Sequence, residues 1–75
     1  MTLRILNHQG HTEVQGLSSD EMIRRLEQEM NAPGRAMIAE APDREAVYLR
    51  SAAELAEWPA PTTVTVMPQL AGGLV

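Results

Sequence analysis

The chain has 75 residues, no cysteine and a formal net charge of −4, from ten acidic residues against six basic ones, all of them arginine. So short a chain buries only about 60% of its unfolded surface, which supports one core and excludes two, and without cysteine it has no disulfide framework. The scattered acids and the presence of just Trp58 and Tyr48 as aromatics argue against nucleic-acid binding, which asks for a basic stripe with stacking platforms.

The chain opens with "TLRIL", in which Leu3 and Ile5 alternate against Thr2, Arg4 and Leu6, the period of a half-buried strand. This opening has neither the long apolar stretch nor the cleavage signal of a secretory leader, and no later run approaches membrane-spanning length, so the expectation is a soluble cytoplasmic protein with no membrane partner. Asn7 and Gly10 supply turn residues before "TEVQGL", where Val14 alternates against Glu13 and Gln15, and the two runs read as a hairpin. Ser18 followed three residues later by Glu21 is a capping-box pattern, strengthened by Asp20. In the helix it starts, Met22, Ile23, Leu26 and Met30 form one apolar face, and Asn31 with Pro33-Gly34 ends it.

"RAMIAEA" and "AVYLR" are the next strands, joined by a turn at Pro42 and Asp43, and Met37, Val47 and Leu49 are each eligible for the core. "SAAELAEW", with Ser51 as cap, predicts a short helix that ends at Pro59 and brings Leu55 and Trp58 to the core. "TVTVM" is the clearest strand, with Val64 and Val66 on one face and Thr63, Thr65 and Met67 on the other. The order is strand, strand, helix, strand, strand, short helix, strand, which predicts an α+β β-grasp fold. Its mixed sheet sets the first and last strands parallel at the centre, with the long helix across one face. Leu3, Ile5, Val14, Ile23, Leu26, Val64 and Val66 are the expected core. The domain is expected over residues 1–68, followed by a flexible tail over residues 69–75.

Directly after the last strand the chain reads "PQLAGGLV". Glycine loses the most freedom on ordering, so the Gly72-Gly73 pair is either slack or a device, and frayed diglycines near chain ends are common. A β-grasp order finishing in "VTVMPQLAGG" resembles the ubiquitin-like modifiers and the related sulfur carriers, the molybdopterin-synthase small subunit and the thiamine sulfur carrier. The hairpin start, the "LSSDEM" helix entry and the short helix before the last strand are similar to ubiquitin, as are residues beyond the diglycine, a precursor habit also expected of a bacterial ubiquitin-like protein. The neutral Gln69 and Ala71 differ from ubiquitin's arginine-bearing tail, and sulfur carriers usually stop at the second glycine.

The resemblance implies that the chain is a substrate of enzymes and not an enzyme, and it implies no cofactor. The Gly73 carboxylate is adenylated by an activating enzyme and then attacked by a thiol or sulfur nucleophile, and glycine puts no side chain in the way. Gly72 lets the tail thread a narrow channel, while Pro68, Gln69, Leu70 and Ala71 form the partner-binding segment, with Leu70 filling a pocket and Pro68 stiffening the exit. Leu74 and Val75 are then expected to be removed between Gly73 and Leu74. The implied partners are an adenylating enzyme, a conjugating enzyme, a processing or deconjugating peptidase and a target protein. Three classes remain open: a modifier conjugated through Gly73, a sulfur carrier with a Gly73 thiocarboxylate, and an unprocessed β-grasp interaction module.

Other residues have plainer explanations. His8 and His11 lie in and beside a turn with no third donor nearby, so no metal site is expected. Asp20, Glu21, Glu27 and Glu29 follow the start and outer face of a helix, where solvated acids are ordinary. The absence of lysine leaves the N-terminal amine as the internal acceptor for acylation.

Overall fold

The computed structural model describes residues 1–7, 10–31 and 34–68. Its elements follow the expected order: β1 (Thr2–Asn7), β2 (Gly10–Val14), α1 (Ser19–Glu29), β3 (Arg35–Ala41), β4 (Arg44–Leu49), a 3₁₀ helix (Ala52–Glu57) and β5 (Thr63–Pro68). Among the described residues five strands form one mixed sheet in the order β2-β1-β5-β3-β4. β1 and β5 run parallel, while the other neighbouring pairs are antiparallel. This is the ubiquitin-like β-grasp topology, with β5 at the centre.

Strand alternation sorts the sheet into two faces. One row crosses all five strands on the helix side: Val14, Leu3, Val64, Ala39 and Val47. A neighbouring row runs through Ile5, Val66, Met37 and Leu49. Leu3, Val64, Val66, Met37, Ala39 and Leu49 are buried together with Leu17, Met22, Leu26, Ala52 and Leu55. Each fully buried aliphatic side chain of this kind contributes roughly 1.5–3 kcal/mol against exposure. Ile5, Val14 and Ile23, expected in the centre, pack half-buried around this cluster, since Val14 ends its row on the edge strand β2. Of the three residues left open by the sequence, Met37 and Leu49 are buried and Val47 is 49% exposed.

The helix begins as its sequence requires. The Glu21 amide donates to the Ser18 hydroxyl at 3.2 Å and the Ser18 amide donates back to the Glu21 carboxylate at 3.2 Å, a complete capping box. Leu17 and Met22, both buried, hold the staple positions on either side of the cap. Leu17 is also clasped to the first strand: its amide donates to the Met1 carbonyl at 2.9 Å, and the Met1 amine donates to the Leu17 carbonyl at 2.7 Å. The helix stops at Glu29 with Met30 as C-cap, and Gly34 leaves the turn at φ +77°, a conformation that suits glycine.

The cap carries a pH dependence. The Ser18 amide, and after it the Ser18 hydroxyl, holds the Glu21 carboxyl below its ordinary value of 4.5. A carboxyl depressed in the folded state contributes stability that is present above its unfolded pKa and is lost as the pH falls through the folded one. Thermal melts taken from about pH 6 down to about pH 3 are therefore expected to fall less steeply for Glu21→Gln than for the parent chain. Equal slopes would remove Glu21 from the acid response.

After β4 the Glu54 carboxylate accepts from the amides of Arg50 at 2.6 Å and Ser51 at 2.8 Å, fixing the start of the 3₁₀ helix. Leu55 reaches the core as expected. Trp58 does not enter it: the ring packs against its margin beneath the Arg44 guanidinium, 4.8 Å from the ring centroid. Trp58 closes a short surface helix just before Pro59, and a cation over the ring compensates its remaining exposure. In the connector, the buried Thr62 hydroxyl donates to the Pro59 carbonyl at 2.6 Å, and β5 then enters the middle of the sheet.

Candidate functional site

The sequence points to the tail after β5, and Gln69, Leu70, Ala71, Gly72, Gly73, Leu74 and Val75 lie outside the described residues. The structure describes the base from which that segment departs. Pro68, the last residue of β5, is exposed and stands opposite Arg35 at the start of β3. Proline offers no amide to a ladder and is found at the ends or edges of strands, which fits its place at the last described pairing of β5. Arg35 is itself ion-paired with Glu29 at the end of α1, which ties helix end and strand start together beside the exit of the chain.

Among the described residues no element covers the sheet face opposite α1. A row crosses it from Glu13 through Arg4, Thr65 and Ile38 to Tyr48. At one end Arg4 donates to the Glu13 carboxylate at 3.3 Å and Gln15 donates to it at 2.8 Å. The Gln15 hydrogen bond, then that of Arg4, holds the Glu13 carboxyl below its ordinary range. Towards the exit of β5 the face turns apolar: Ala36 lies opposite Met67 and Ile38 opposite Thr65, all but Thr65 partly accessible. This apolar half was not singled out from sequence. The signal was the alternation of "RAMIAEA", which puts Ala36 and Ile38 on the face opposite Met37 and Ala39.

Among the other sequence candidates, His11 is exposed on β2 opposite Leu6, and His8 lies outside the described residues. Glu21 is occupied in the cap and Glu29 in the pair with Arg35, while Asp20 and Glu27 are exposed along α1. Among the described residues no three His, Asp or Glu side chains come together as a metal site would require. An open cleft of about 400 Å³ lies between the end of α1 and the start of the 3₁₀ helix, with Met30, Met37 and Ala52 in its walls and Glu27 and Arg50 at its rim. Among the described residues that line it there is no histidine and none from β5. No helix among the described residues is long and apolar enough to cross a membrane.

The fold thus defines a small domain of ubiquitin-like β-grasp topology whose central strand leads directly into the diglycine segment. No protein-family model matches the chain, and no curated protein or solved structure is detectably similar to it.

Proposed function

We propose that the chain is a ubiquitin-like protein modifier, freed at Gly73 and joined through the Gly73 carboxylate to an amine of a target protein. The observation that supports this reading is the course of β5. It is the middle strand of the sheet, its described pairing runs to Pro68, and the sequence that follows it is Gln69-Leu70-Ala71-Gly72-Gly73. A segment that follows the central strand of a compact domain starts from a fixed point, and a partner's groove that captures such a segment by strand addition would take it in extended form. An internal Gly73 carbonyl is an amide, so a peptidase must cut before Leu74 prior to any adenylation. A peptidase with zinc-bound water as nucleophile is one suitable chemistry. The activating enzyme then forms the acyl adenylate, and a conjugating enzyme passes the acyl group to the target. In this reading the chain itself catalyses nothing.

The neutral Gln69 and Ala71 favour a second reading, in which the Gly73 carboxylate becomes a thiocarboxylate that donates sulfur for cofactor synthesis. Intact-mass measurement of the protein expressed with its genomic neighbours separates the two. Loss of Leu74 and Val75 followed by a covalent adduct through Gly73 supports the modifier, and replacement of oxygen by sulfur at that carboxyl supports the carrier. A chain still ending in Val75, with activity indifferent to both glycines, overturns both and leaves an interaction module. Because none of the 75 residues is lysine, a second copy finds no side-chain amine on the first. The Met1 amine that remains is held by the Leu17 carbonyl at 2.7 Å, so conjugates are expected to gain one modifier mass per acceptor on the target, and a ladder of several masses on a target with a single accessible lysine would contradict this.

A further inference from the structure

The two edges of the sheet are unlike. β2 is a polar edge in which Gly10, His11, Thr12 and Glu13 are all exposed. β4, the other edge, carries Val47 and Tyr48, which are 49% and 68% exposed and are the large hydrophobic residues that stand out in solvent among those described. They are adjacent in the chain, so they sit on opposite faces of the sheet. Charges, bulges and prolines normally blunt an edge strand against pairing with another chain. On β4 such devices lie outside the apolar stretch. Ala39 faces Val47 but Ala41 faces Arg44, so two residues, Glu45 and Ala46, oppose Glu40 alone, and the bulge disturbs the start of the strand. At the far end the Arg50 amide is taken by the Glu54 carboxylate. Between them Val47, Tyr48 and Leu49 carry no charge and no proline, and the side of β4 away from β3 has no strand beside it among the described residues.

We infer that β4 pairs antiparallel with β4 of a second copy of this chain about a two-fold axis at Tyr48, joining two five-stranded sheets edge to edge. Such an axis stands perpendicular to the sheet and keeps each face continuous, so residues whose numbers sum to 96 meet. Tyr48 then faces Tyr48 on the open side, and Val47 of each copy faces Leu49 of the other on the helix side, which covers the Val47 left half in water. The ends also match in charge. Ala46 falls opposite Arg50 of the second copy, so the neighbouring Glu45 lies within one residue of that cation, twice by symmetry. Both Glu45 and Arg50 are exposed and available for this. A register centred on Val47 would instead set Arg44 against Arg50 and oppose like charges. The occupant is thus a strand that is uncharged at its centre, acidic at its second residue and basic just beyond its end, and the chain's own β4 is that strand, its first residue Arg44 being taken up over the Trp58 ring.

Sedimentation of the full chain as a function of concentration tests this. The mass is expected to rise from 8.2 kDa towards twice that value as the protein approaches about 1 mM, the weak end for an association. Tyr48→Lys is expected to weaken association about tenfold or more by placing two ammonium groups face to face. Glu45→Arg and Arg50→Glu should each weaken it, while the double exchange Glu45→Arg with Arg50→Glu should restore it, a rescue that loss of folding does not mimic. Thr12→Lys on the β2 edge should leave it unchanged. A chain that stays at 8.2 kDa throughout, a dimer indifferent to Tyr48→Lys and to both charge reversals, or one broken by Thr12→Lys would each overturn the pairing. Circular dichroism of every variant identifies any that fails to fold, and if Tyr48→Lys does so the charge exchange decides.

Discussion

Leu26→Ala is expected to destabilise the domain by about 2–5 kcal/mol, read as a lower urea midpoint at an unchanged slope. Leu26 is fully buried in the same cluster as Met22, Leu55 and Val66. It therefore lies between the helix and both the sheet and the 3₁₀ helix, where truncation leaves a cavity that rigid strands cannot close. At the usual rate per residue, a domain of this length has a total stability of about 4–11 kcal/mol. The substitution thus removes a large share of it, and the variant should be partly unfolded at physiological temperature. Ile23→Ala, at a half-buried position one residue away from Met22, should cost about 1 kcal/mol. Equal losses at the two positions would mean that α1 does not present the buried face described here.

Replacing Gly73 with leucine is expected to slow both release of the following residues and conjugation by about a hundredfold or more, because a side chain at the reacting carbonyl displaces it from the attacking group. Folding should be untouched, since the described sheet and core are complete by Pro68, before the position is reached. A chain made to end at Gly73 should need no peptidase yet still require the activating enzyme, so the two steps separate in one intact-mass series. If Gly73→Leu is processed and conjugated at the parent rate, the proposed chemistry is wrong even though the fold stands. Unlike Leu26→Ala, this substitution leaves stability alone and touches reaction, and comparing the two distinguishes a damaged domain from a damaged tail.

Much of this molecule was legible before any coordinates. Ser18 and Glu21 announce a helix start because a local hydrogen-bond exchange needs only residues three apart. Leu3, Val64 and Val66 announce buried faces because a strand has a period of two, and the order of elements then leaves few topologies once the first and last strands are set parallel. The Gly72-Gly73 pair was likewise visible, since its proposed role depends on the covalent character of the backbone and not on packing. What pairing and coverage decide was not visible. Val47 and Leu49 share a face and a hydrophobic character, yet Leu49 is buried opposite Met37 while Val47 stands half in water. The bulge that sets Glu45 and Ala46 against Glu40 has no glycine to signal it. Thr65 is nearly buried on the open face because Arg4 and Ile38 flank it on both sides of the central strand. Trp58 stays at the margin because the helix before it is short and Arg44 offers its ring a cation. Local propensity and period act over a few neighbouring residues and so are written in the sequence, whereas burial at the edge of a sheet depends on which distant element lies across it, and only the assembled fold supplies that.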